Sequence, residues 1–222
     1  MVRITFYSPL LEVGGTQRHL QQVLRLLDPG QFRVSEVVTL RSGGAVEPAL
    51  RAAGITVRSL EMGSRLLSPQ GFRVVRAEAR RLRSAGIDVV QAYQWRPSLL
   101  AVLAGRLARI PVVVAGKRSL TGANRQAQMA WRVIGRCADT IVTNAQALRV
   151  EAESQGVRGR WAVLRNGVDV DYFDRLRERA EAKGRWGFDR ARPVVGSVGR
   201  LEERKGHACL LAARAVMPVS AG

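Results

Sequence analysis

Three stretches of this chain hold residues whose types and spacing could do chemistry. The first is Val13-Gly14-Gly15-Thr16-Gln17-Arg18-His19. Paired glycines let backbone approach a ligand closely, and a helix beginning there offers free N–H groups and the positive end of its dipole to an anion. The spacing is not the Gly-x-Gly-x-x-Gly nicotinamide fingerprint, and a tight structural turn is an equal reading. The second is Gly199-Arg200-Leu201-Glu202-Glu203-Arg204-Lys205-Gly206, where Arg200 and Lys205 can reach the same side. Two cations beside a helix start suit a diphosphate; a solvated charge run is the alternative. The third is Arg165-Asn166-Gly167-Val168-Asp169-Val170-Asp171-Tyr172-Phe173, where Asn-Gly marks a tight turn. By itself it is a connection pinned by two aromatic residues.

The elements that must position these stretches follow from hydrophobic patterning. Val2–Tyr7, Phe32–Leu40, Ile55–Leu60, Ile87–Tyr93, Pro111–Ala115, Thr140–Thr143 and Trp161–Leu164 read as strands. Leu20, Val23, Leu24 and Leu27 recur at helical spacing after the glycine loop. Gln70–Ala85 reads as a helix with Phe72, Val75, Ala79 and Leu82 on one side and Arg73, Arg76, Arg80 and Arg83 on another. Ser98–Leu107 is apolar nearly all round, which predicts a helix packed deep against a sheet. Alternation of this kind predicts a doubly wound α/β domain with a parallel sheet covered on both faces.

Beyond Asn166 the pattern changes. A charged stretch, Asp174–Lys183, predicts a short surface helix; Pro193–Gly199 predicts a new strand, and Glu203–Val216 the helix after it. One strand and one helix cannot bury a core of their own. The expected division is therefore a Rossmann-like domain over 1–165, a connection over 166–192, and the first β–α unit of a second domain over 193–222.

Composition bounds the function. The 222 residues are 46% hydrophobic and 24% charged, too apolar for a disordered chain. Two cysteines exclude a disulfide scaffold. The longest strongly apolar run, Leu99–Gly105, is too short to cross a bilayer, and the first residues lack the apolar stretch of a secretion signal. The expected location is the cytoplasm. The formal net charge is +18, and of 36 lysines and arginines only Lys117, Lys183 and Lys205 are lysine. That surplus favours anionic partners, although a coding bias toward arginine would leave the same trace. The basic residues are dispersed, with no zinc-finger spacing or aromatic RNA-binding motif, so nucleic acid is not an expected partner.

Taken in order, the pieces resemble glycosyltransferase family 4, whose members have two facing Rossmann-like domains (the GT-B fold). The carrying residues are Gly14-Gly15-Thr16-Gln17-Arg18-His19, Asp88-Val89-Val90-Gln91-Ala92-Tyr93, Ala138-Asp139-Thr140-Ile141-Val142-Thr143-Asn144, Asn166-Gly167-Val168-Asp169 with Phe173, and Val198-Gly199-Arg200 leading to Lys205-Gly206. The resemblance implies transfer of a sugar from a nucleotide-sugar donor to an acceptor with retention, without a metal or other cofactor. It places the acceptor, a glycan or glycolipid of the cell envelope, on the N-terminal domain and the nucleotide on the C-terminal one. It implies that Gly14 and Gly15 approach the donor and that Arg200 and Lys205 clasp its diphosphate, stabilising the charge that develops as the glycosidic bond breaks.

Departures from the family pattern matter. Gln91, Tyr93 and Gln94 stand where many members have histidines, and Ala115-Gly116-Lys117-Arg118-Ser119-Leu120 replaces a stretch that often carries one. Lys117, Arg118 and Tyr93 are thereby candidate contacts for an acceptor or an anionic group. His19 is expected to be a surface or packing residue instead of a base, and no catalytic residue is assigned. The family's paired glutamates have no counterpart here, so the chain is expected to be truncated and inactive alone. The competing expectation is a non-catalytic domain of this fold that binds an anionic glycolipid or membrane surface through the Arg73/Arg76/Arg80/Arg83 stripe, peripheral to the inner face of the membrane.

Overall fold

A computed structural model describes residues 1–62, 66, 68–168, 170–171, 179–189, 191–199 and 201–216. Two compact units, Met1–Gly167 and Val168–Gly222, make up the chain. In the first, seven strands alternate with six helices: β1 Val2–Ser8, α1 Gly15–Leu26, β2 Phe32–Thr39, α2 Glu47–Ala52, β3 Val57–Ser59, α3 Pro69–Ser84, β4 Val89–Tyr93, α4 Trp95–Ala108, β5 Val112–Lys117, α5 Arg125–Cys137, β6 Thr140–Thr143, α6 Gln146–Ser154 and β7 Trp161–Val163. All pairings are parallel, in the order β3-β2-β1-β4-β5-β6-β7. This is the Rossmann-like, doubly wound sheet the alternation predicts. Its order reverses between β1 and β4, where Ile4–Tyr7 pairs with Val89–Ala92. The crevice at such a switch point is where open α/β sheets hold ligands.

Burial explains the elements. On one face of the sheet Leu20 of α1 is fully buried among Ile4, Phe6 and Val37. On the other, α4 buries Leu99, Leu100, Ala101, Val102, Ala104 and Ala108, as an all-round apolar helix must. Gly105 lets it approach the sheet: a Cβ there would lie 2.8 Å from Val113 Cγ2.

In α3 one expectation fails. Val75, Ala79 and Leu82 are buried, but Phe72 is 57% exposed. The inward position of that first turn belongs to Gly71, where a Cβ would collide with the Leu66 carbonyl. With Gly71, Val75, Glu78 and Leu82 setting the buried stripe, Phe72 turns toward the arginines.

Buried Glu78 is explained by a charge-balanced network that ties α3 to β1, β2 and β3. Arg58 bonds Glu36 (Nε–Oε2, 2.9 Å) and Glu78 (Nη2–Oε2, 2.8 Å), Arg81 bonds Glu36 (Nε–Oε1, 3.0 Å), and the Tyr7 hydroxyl donates to Glu78 Oε2 at 2.9 Å. Burial pushes the Glu36 carboxyl up, but bonds from Arg58 and Arg81 outweigh it and hold the group below its ordinary range. Burial, then the Glu78 charge, pushes the Tyr7 phenol well above its own.

The second unit contains helix α7 (Arg179–Arg185), a 3-10 turn (Glu203–Lys205) and helix α8 (His207–Val216). The helix expected over Asp174–Lys183 coincides with α7 only from Arg179; its earlier part lies outside the described residues. Pro193–Gly199 forms no strand, contrary to expectation. A strand exists through its ladder of partners, and among the described residues of this unit there is no other strand to supply them. The helix expected over Glu203–Val216 is divided at Gly206, whose φ of +70° ends the 3-10 turn. No residue of α8 is buried.

Candidate functional site

Loops leaving the carboxyl ends of β4, β5 and β7 meet helix α1 around Arg118. Its Nη1 donates to Asn166 Oδ1 at 2.8 Å, and its Nη2 lies 2.6 Å from His19 Nε2. The guanidinium stands 5.5 Å from the centroid of the Tyr93 ring. His19 meets that ring edge-on, centroids 6.0 Å apart at 78°. The Tyr93 hydroxyl accepts from Gln91 Nε2 at 3.0 Å. Because a guanidinium only donates, His19 Nε2 must accept, which assigns its proton to Nδ1.

Electrostatics follow from that packing. Burial first, and the Arg118 charge second, lower the His19 pKa to about 4, so the ring is neutral. Burial raises the Tyr93 phenol to about 12 despite the nearby cation. Burial also lowers Arg118 from its usual value. Its neighbours are thus neutral, it has no ion pair among the described residues, and its Nε is buried without a hydrogen-bond partner there.

Beside Arg118 lies a cavity of about 130 Å³ lined by Gln94, Trp95, Thr121, Asn124 and Trp131 among others. Gln94 joins β4 to α4 with φ 68° and ψ 163°, a region essentially reserved for glycine. Its N–H donates to the Gly116 carbonyl at 2.8 Å, so the sheet ladder fixes this strained backbone.

The glycine loop now separates its two readings. Gly14 has φ −171°, extended backbone open to any residue, and Gly15 begins α1. A Cβ on Gly15 would meet nothing within 4 Å, and one on Gly14 only the tip of Gln17. Neither turn geometry nor internal packing therefore demands these glycines. Gln17 braces the loop by donating to the Leu10 carbonyl at 2.9 Å.

Lys117 is fully buried. Its ammonium is 2.9 Å from Glu151 Oε2, donates to Ser119 O (2.9 Å) and Thr121 Oγ1 (2.8 Å), and stands 5.5 Å from the Trp131 ring centroid. Burial pushes the Glu151 carboxyl up, yet bonds from Lys117 and from the Gly122 and Thr121 amides hold it low. Lys117 thus shapes the wall, while its neighbour Arg118 faces the site. In the second unit Lys205 is exposed at the end of the 3-10 turn. Arg200 lies outside the described residues, as do Asp169, Tyr172 and Phe173.

Comparison with known proteins fits this geometry. The profile described as Glycosyltransferase Family 4 matches residues 13–172, more than half of the chain and every element from α1 to β7. The chain belongs to glycosyltransferase family 4. Among solved structures it is similar to the Anabaena protein HepE in complex with UDP and glucose, at 20% identity and TM-score 0.76, over 98% of this chain and 59% of that one. It is similar as well to a glycosyltransferase from Rickettsia africae, at 16% identity and TM-score 0.76, over 96% and 57%. A third is the lipopolysaccharide outer core galactosyltransferase WaaB, at 15% identity and TM-score 0.59, over 75% and 46%. These likenesses are of fold, and the chain spans less than two thirds of each relative's length. A search of curated proteins returns no match.

Two features of the candidate site escape sequence reasoning. Asn166 was legible as a turn residue but not as the partner of a cation 48 positions earlier. The strain at Gln94 leaves no sequence signature except the absence of glycine where the backbone asks for one.

Proposed function

We propose that this chain forms the acceptor-side lobe of a retaining glycosyltransferase that moves a sugar from a nucleotide-sugar donor to a glycan or glycolipid, with residues 193–222 beginning the nucleotide-side lobe. The observation that carries this reading is Arg118: a part-buried cation at the carboxyl edge of the sheet whose neighbours His19, Tyr93 and Asn166 are all neutral. A buried charge without a counter-ion is costly, and an anionic ligand group would supply one. In sugar transfer that group is the donor diphosphate or a charged substituent of the acceptor. Negative charge grows on the diphosphate as the glycosidic bond breaks, and fixed cations favour it. In the family pattern Arg200 and Lys205 are the cations given that part, and no metal is called for. Gly14 and Gly15, free of internal constraint, leave room for the ligand.

The HepE structure holds UDP and glucose, so a UDP-sugar is the first donor to test. Titrating UDP-glucose and UDP-N-acetylglucosamine into the 222-residue chain while following the His19 ring resonance should give a saturable shift. Gly15→Ala should weaken that response about tenfold, a loss of about 1.4 kcal/mol, without lowering thermal stability. A His19 resonance that no UDP-sugar moves would overturn the placement of the site. The chain alone is expected to turn over little or no labelled donor, because its second unit shows no sheet among the described residues. Robust transfer would refute the division of labour.

A further inference from the structure

We propose that the exposed face of α3 docks the protein on an anionic lipid bilayer, with Phe72 inserted among the headgroups. The proposal stands on a surface remote in sequence from the Arg118 loops and is independent of the donor. At 100° per residue, Phe72, Arg73, Arg76, Arg80 and Arg83 fall within an arc of about 100°, and all five are exposed. They extend over about 16 Å of helix. Arg83 Nη2 donates to the Leu107 backbone carbonyl at 2.6 Å, which ties the last arginine of the face to the end of α4.

Nothing on these helices neutralises the face. The single acid of α3, Glu78, is turned inward and bonded to Arg58 and Tyr7, and α4 contains no acid. Arg73, Arg76 and Arg80 make no hydrogen bond or ion pair among the described residues, whereas Arg81 is held by Glu36. Ordinary solvated helices place opposite charges three or four residues apart; here the same spacings repeat like charges, which destabilises an isolated helix. An anionic surface relieves that repulsion. Basic side chains beside an exposed apolar one are the pattern of helices that lie in a membrane interface. A soluble polyanion would engage the arginines and be indifferent to Phe72.

The test is co-sedimentation of the full chain with vesicles of phosphatidylcholine alone or mixed with phosphatidylglycerol, at low and physiological salt. Binding should require phosphatidylglycerol and weaken with salt. Arg73→Gln, Arg76→Gln and Arg80→Gln together should lower the partition coefficient about a hundredfold, or fivefold each. Phe72→Ser should lower it about tenfold while leaving affinity for an oligonucleotide duplex unchanged. Arg33→Gln, Arg136→Gln and Arg160→Gln, exposed arginines on β2, α5 and ahead of β7, remove the same charge elsewhere and should cost less than about threefold by long-range attraction alone. If that control triple weakens binding as much as the α3 triple, diffuse charge is responsible and the proposal falls. It falls as well if Phe72→Ser binds the mixed vesicles like the parent, or if the duplex is bound more tightly than the vesicles.

Discussion

His19 offers a direct reading of the crevice. A histidine whose pKa falls from 6.5 to about 4 on folding favours its neutral form by about 3.4 kcal/mol. The ring is only part-buried, and solvent screening brings the effective figure to about 1–2 kcal/mol. Between those two pH values the unfolded chain binds a proton at this position that the folded chain refuses. Its contribution is therefore complete above pH 6.5 and disappears progressively as the pH falls toward 4. The chain has two histidines, His19 and His207, so a ring-resonance titration with His207→Gln to assign the signals reports His19 cleanly. The midpoint should lie near 4. In Arg118→Met it should climb part of the way toward 6.5, because the cation is removed while burial, the larger cause, remains. A parental midpoint at or above 6, or identical midpoints in the two proteins, would show that Arg118 and His19 do not meet as described.

Other substitutions probe neighbouring features. Arg58→Met leaves Glu78 with only the Tyr7 hydroxyl in the core. Removing one partner of a buried ion pair costs about 3–5 kcal/mol, so urea unfolding should show a loss of about that size; a loss below about 1 kcal/mol would argue against the Arg58–Glu78 pair as described. Gln94→Gly releases about 1–3 kcal/mol of backbone strain against about 0.5–1 kcal/mol of added chain freedom. Its thermal unfolding should shift upward, and a downward shift would mean that the glutamine side chain contributes more to the fold than its backbone costs.

Seven strands are legible because a parallel sheet covered on both faces favours apolar, β-branched runs, of which Val112–Lys117, opening Val-Val-Val-Ala, is the clearest. In α4 the lack of a polar side announced its depth. What stayed hidden depends on partners distant in sequence. Lys117 looked like a free cation until Glu151 closed over it. Phe72 belonged to the apolar stripe until Gly71 took the inward position. Pro193–Gly199 has the composition of a strand, but composition cannot create the neighbour a strand pairs with.

The Lys117–Glu151 pair has a dynamic consequence. Glu151 Oε1 collects the amides of Thr121 (2.7 Å) and Gly122 (3.0 Å), while Lys117 draws in the Ser119 carbonyl from below. A surface loop of this length would ordinarily exchange its amide hydrogens almost as fast as a free peptide. Here those two amides should exchange with the slowness of the strands behind them, giving incoming molecules a stiff rim to settle against.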